Sequence, residues 1–145
     1  MIEIDDREVL AALARVQQRI GNMRPLLKEI GEDMKASTKK RFDTTTAPDG
    51  NPWLLNSVLS TLLYKEGDTP LTGETGLLHS TINSDVISAT AVEIYSPKEY
   101  GAMQQFGGTK AEFPHLWGDI PARPFLGLSE ADKANILDLT VDYLL

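Results

Sequence analysis

Cysteine is absent from the 145-residue sequence, which excludes disulfides, thiol nucleophiles and thiolate metal sites together. Histidine occurs twice, as His79 and His115, and neither stands in a nucleophile or metal-binding motif. A metal site would have to recruit Asp85 or Asp119 from elsewhere in the chain. There is no nucleophile elbow, and the glycine-flanked string Gly73-Glu74-Thr75-Gly76 lacks the spacing and the lysine of a phosphate-binding loop. With 21 acidic residues, carboxylate pairs can be drawn anywhere and point to no glycosidase site. No apolar run is long enough to cross a bilayer, and the acidic start of the chain (Glu3, Asp5, Asp6) is unlike a secretory leader. A formal charge of -7 argues against a protein whose task is to grip nucleic acid, because phosphate binding needs a basic face. These absences predict a protein that is not an enzyme, carries no cofactor or metal, does not enter a membrane, and works in a cytoplasm or in something assembled there.

What is present is an ordinary globular composition, 41% hydrophobic and 24% charged, in a chain long enough for one domain, residues 1–145, around one modest core. Val9, Leu13, Val16 and Ile20 lie on one face of an amphipathic helix that begins after Asp5 or Asp6 and is interrupted at Gly21-Asn22. Pro25 starts a second helix, with Leu27, Ile30, Met34 and Phe42 on one face and Thr38 between them. Acids lie early in it (Glu29, Glu32, Asp33) and bases late (Lys35, Lys39, Lys40, Arg41), as the helix dipole favours. The basic cluster reads as a solvated helix end, with a nucleic-acid patch as the alternative.

Pro48-Asp49-Gly50 is a tight turn that should hold Trp53 against the first helices; a partner-anchoring Trp53 is the alternative. Leu54 to Leu63 has the spacing of a short helix, and Lys65 to Gly76 is polar and suits a mobile loop. Ile82 to Ala89 and Ala91 to Tyr95 read as a hairpin, with Val92 and Ile94 on one face and Glu93 and Tyr95 on the other. Ser96-Pro97 has the form of a helix start; Tyr100, Met103 and Phe106 give that helix its apolar stripe, and Gly107-Gly108 ends it. Thr109 to Asp119 is irregular and aromatic (Phe113, His115, Trp117). A short strand then leads to the last helix, which opens at Ser129 with a capping box closed by Asp132 and carries Ile136, Leu139 and Tyr143. The sum is an α+β fold with N-terminal helices, a small antiparallel β-sheet and a C-terminal helix.

The most informative string is Ile120-Pro121-Ala122-Arg123-Pro124-Phe125-Leu126-Gly127-Leu128-Ser129. Prolines on either side of one arginine stiffen the backbone, so a planar cation and an aromatic are presented in fixed geometry. Such residues dominate interface energetics. On that ground Arg123, Pro124, Phe125 and Leu126 are expected at a subunit or partner interface, with Tyr100, Gln104 and Phe106. The alternative is a plain strand-to-helix junction whose arginine pairs with a local carboxylate.

Four segments, in order, carry a resemblance. They are Pro48-Asp49-Gly50-Asn51-Pro52-Trp53, the stretch Leu71 to Ile82 with its Leu71-Thr72-Gly73 start, Tyr100 to Gly108 with Gln105-Phe106-Gly107-Gly108, and Pro121 to Ser129. Through them the chain, from about Phe42 onward, resembles the phage virion morphogenesis family, the tail-completion proteins of Mu-like and related contractile-tailed bacteriophages. Leu71 to Gly76 and Thr109 to Asp119 depart most from that pattern. The resemblance implies a non-enzymatic virion component at the neck or tail end, made in the host cytoplasm, where the tail is completed and joined to the DNA-filled head. It implies a homo-oligomeric ring, hexamer or dodecamer, whose partners are neck, tail-tube or connector proteins and through which DNA passes without being held. Glu130, Asp132, Asp138 and Asp142 would then line the channel or face solvent. The alternatives are a morphogenesis factor that does not remain in the particle, and a small wall-degrading virion enzyme dependent on His79 or His115.

Overall fold

The computed structural model describes residues 6–57, 62, 70–71 and 76–145 of the chain. Its elements are α1 (Arg7–Gly21), α2 (Arg24–Thr44), α3 (Leu77–Ser80), β1 (Asn83–Ser88), β2 (Ala91–Tyr95), α4 (Gly101–Phe106) and α5 (Glu130–Leu144). This is the expected α+β arrangement, with a two-stranded antiparallel sheet. The helix expected from Leu54 to Leu63 and the loop expected from Lys65 to Gly76 lie largely outside the described residues.

Helix α2 is the spine. Its buried positions Leu27, Ile30, Met34, Thr38 and Phe42 keep the spacing of one helical face, and Leu26 widens that face. One half of this face, Leu26, Ile30 and Met34, packs with Val92 and Ile94 of β2 and with Ile136, Leu139 and Tyr143 of α5. The other half, Phe42, joins Ala47, Trp53, Leu78, Ile82 and Phe125. The hairpin can approach α2 closely only because position 31 is glycine. A Cβ there would lie 2.9 Å from Val92 Cγ2. Asn83, Asp85 and Glu93 stay on the exposed face of the hairpin, so the period-two pattern correctly separates its two sides.

Two elements differ from expectation. Helix α4 begins at Gly101 rather than at Ser96-Pro97, because the Ser96 hydroxyl accepts the N–H of Lys98, two residues on, and builds a local turn instead of a cap. The stretch before α5 is extended but is no sheet strand. Its ladder is limited to a bridge between Gly108 and Ile120, and Pro121 and Pro124 have no N–H to continue it. The last helix starts as expected: Ser129 accepts from Asp132 N at 3.0 Å, and Asp132 accepts from Ser129 N at 2.9 Å.

Candidate assembly interface

The Pro121 to Ser129 segment is bound into the fold from several sides. Arg123 N donates to Gln104 O at 2.8 Å, and the Gln105 side chain then acts as a missing strand. Gln105 Oε1 accepts from Phe125 N (2.9 Å) and Leu126 N (3.0 Å), while its Nε2 donates to Leu126 O (3.0 Å). Helix α4 must stop beside this segment, and Gly107 makes that possible. It sits at φ +70°, where a Cβ would fall 2.7 Å from the backbone of Ala122 and Ile120. Phe125 is 0% exposed, its ring 5.6 Å from that of Phe42. Expected at an interface, it is instead wholly inside its own chain and has no surface to offer a partner.

Arg123 is also buried. Its Nε donates to Leu54 O at 2.7 Å and its Nη2 to Leu55 O at 3.0 Å, and burial pushes its pKa below the usual arginine value. No carboxylate faces it among the described residues, so neither the expected interface role nor the local-carboxylate alternative matches its surroundings. Pro124 and Leu126 are half-buried in the same segment, and Pro124 O accepts the indole N–H of Trp53 at 2.8 Å. Trp53 packs edge-on against Phe42 at 5.5 Å. The Pro48-Asp49-Gly50 turn sets it there. Gly50 N bonds Ala47 O, Asp49 Oδ1 accepts from Asn51 N, and Trp53 N returns to Thr45 O.

Sequence reasoning missed the ion pair beneath this segment. Arg41 donates to Phe125 O at 2.8 Å and to Asp132 Oδ2, and both partners are buried. Burial lowers the pKa of Arg41, opposed by Asp132. Burial alone would raise that of Asp132, but hydrogen bonds from Ser37 and Ser129 and the charge of Arg41 hold it below the usual carboxylate range. Arg41 therefore does not belong to a solvated basic cluster, and Asp132 cannot line a channel. Gln105, too, lies outside the residues expected at the interface, although its amide holds Phe125 and Leu126. The one available signal was Asp132 at the third helical position, which marks a cap but not a buried pair.

Of the other residues expected at an interface, Gln104 is half-buried and Tyr100 and Phe106 are exposed, Phe106 by 78%. Phe106 adjoins the aromatic loop. Gly108 and Ile120 pin the base of that loop by two backbone bonds, and Asp119 Oδ1 accepts Lys110 N at 2.8 Å. Phe113 lines one depression with Phe106, and Trp117 is fully exposed. The arrangement offers large aromatic surfaces on a fixed base, which suits docking. His79 stacks at 5.3 Å on Phe42, and His115 lies 6.2 Å from Phe113. Among the described residues, no group of three or more His, Cys, Asp or Glu could hold a metal, and no helix is long and apolar enough to cross a membrane.

Comparison with known proteins agrees with the resemblance. The model of the phage virion morphogenesis family matches residues 4–145. The chain is 32% identical, over 99% of its length and 96% of the relative's, to "Mu-like prophage FluMu G protein 2" of Haemophilus influenzae. It is 27% identical, over 94% of its length and 88% of the relative's, to "Putative capsid assembly protein G" of Escherichia phage Mu. No solved structure matches it significantly.

Proposed function

The chain belongs to the phage virion morphogenesis family, and from that premise we propose that it is a structural virion protein. It forms a homo-oligomeric ring at the neck or tail end, completes the tail and joins it to the head. The family match over residues 4–145 carries the reading. The exposed rings of Tyr100, Phe106 and Trp117 support it, because solvent-facing aromatic side chains are suited to a neighbouring neck, tail-tube or connector protein. DNA passes through such a ring without being held, in keeping with a net charge of -7. The name of the phage Mu relative, "Putative capsid assembly protein G", favours a second reading, an assembly factor that leaves before the particle is complete. Quantitative mass spectrometry of purified particles separates the two. A fixed stoichiometry of several copies per particle supports the ring. Presence in lysates but absence from particles overturns it in favour of the departing factor.

A further inference from the structure

Helix α1 buries none of its residues. Among the described residues, it packs along one edge of α5. Arg19 Nη1 donates to Tyr143 O at 2.6 Å, the guanidinium lies 5.9 Å from the Tyr143 ring, and Tyr143 Oη donates to Asn22 O. Val9, Leu10, Leu13 and Ile20 remain more than half exposed. Helix α5 has the converse defect. Ile136, Leu139 and Tyr143 pack inward. At 100° per residue, Leu137, Val141 and Leu145 fall on nearly the opposite side, where all three are exposed. A helix apolar on both sides belongs to a buried setting.

Both uncovered stripes consist of large apolar residues more than half exposed, Val9, Leu10, Leu13 and Ile20 on α1 and Leu137, Val141 and Leu145 at the end of the chain. Brought together they approach the apolar content of a small specific interface, about 1,200 Å² with its polar rim. Their charges differ in sign. From Val9 to Gly21, α1 carries Arg15 and Arg19 and no acid, whereas from Ala134 to Leu145 the chain carries Asp138 and Asp142 and no base. Pairing α5 with α5 of a second copy would set these aspartates against each other, and pairing α1 with α1 would do the same with the arginines. Pairing α1 with α5 covers both stripes and opposes unlike charges. Within one chain α1 meets α5 at Tyr143, on the side nearly opposite the outer stripe, so the two stripes pair between copies.

We infer that the outer stripe of α1 docks on the outer stripe of α5 of a second copy of this chain. This contact is heterologous, the kind that closes into a ring when the rotation allows. The inference rests on the ring reading for its biological setting and names the surface by which the ring is built.

The absence of cysteine makes a direct test simple. Leu13→Cys and Val141→Cys are made separately, and their folding is checked by thermal melting, with Leu10→Cys and Leu137→Cys as the replacement pair. Under mild oxidation each variant alone should stay uncrosslinked, an equal mixture should give a disulfide dimer, and the double variant should give a ladder of multimers. A variant that crosslinks to itself at least as well as to the other overturns the inference, since the contact is then between like surfaces. So does a mixture that fails to crosslink, or a parent chain still monomeric by light scattering at millimolar concentration. Those failures leave the stoichiometry in particles untouched. Conversely, a chain that crosslinks as expected yet is missing from particles sinks the virion-ring reading and keeps the contact.

Discussion

Phe125 and Leu13 are both apolar residues in well-marked sequence patterns, yet their settings are opposite. Around Phe125 the rings of Phe42 and Trp53, the Arg41–Asp132 pair and the Gln105 amide close from different directions. Around Leu13 lies a helix without one buried residue. The difference teaches that an apolar stripe shows a face in need of cover but not what covers it. It also shows that a rigid, unusual motif can be occupied entirely by holding its own chain together.

The comparison breaks most readily at Asp132 and Phe125. Asp132→Ala leaves the Arg41 guanidinium buried without its carboxylate and removes the cap of α5, so urea denaturation should show a loss of about 3–5 kcal/mol. Phe125→Ala should cost a similar amount, about 3–5 kcal/mol, through the cavity it opens. The pH dependence follows from the same pair. The pKa of Asp132 is lower in the folded than in the unfolded chain, so its contribution is present above the ordinary aspartate value of about 4 and fades as pH falls through the lowered folded value. An acid titration of stability should therefore fall more steeply below about pH 4 in the parent than in Asp132→Asn.

A smaller effect separates neighbouring glutamines. Gln105→Ala removes three hydrogen bonds to Phe125 and Leu126 and should cost about 1–3 kcal/mol, whereas Gln104→Ala, whose side chain makes none among the described residues, should stay within about 0.5 kcal/mol. The smallest stability effects belong to the exposed residues. Leu13→Ser and Trp117→Ala should each shift the unfolding free energy by no more than about 0.5 kcal/mol. Leu13→Ser should nonetheless shift the light-scattering mass toward monomer. An equal stability loss at Leu13 and Phe125 would erase the distinction.

Much of the fold was legible because its signals are local. The faces of α1 and α2, the hairpin alternation at Val92 and Ile94, the Gly107 stop and the Ser129 cap all depend on neighbours within a few residues. The start of α4 is not legible at Ser96-Pro97, because Ser96 has two local hydrogen bonds open to it and takes the turn rather than the cap. The candidate site was less legible for a different reason. Arg41 meets Asp132 across 91 positions, and Gln105 reaches Phe125 across 20. No spacing rule links such pairs, so Arg41 looked like part of a basic cluster and Asp132 like a surface acid. Arg123 misled in the other direction. Its proline-stiffened frame suggested presentation to a partner, whereas its donors close on Leu54 and Leu55 of the same chain.

That arginine gives the most direct test of the division between residues that hold the chain and residues that face partners. In the urea denaturation of purified Arg123→Ala, the free energy of unfolding should fall by about 2 kcal/mol relative to the parent, because two charge-assisted bonds to the Leu54 and Leu55 carbonyls are lost. An unchanged unfolding free energy, in a chain that no longer assembles, would contradict the account and return Arg123 to the partner interface.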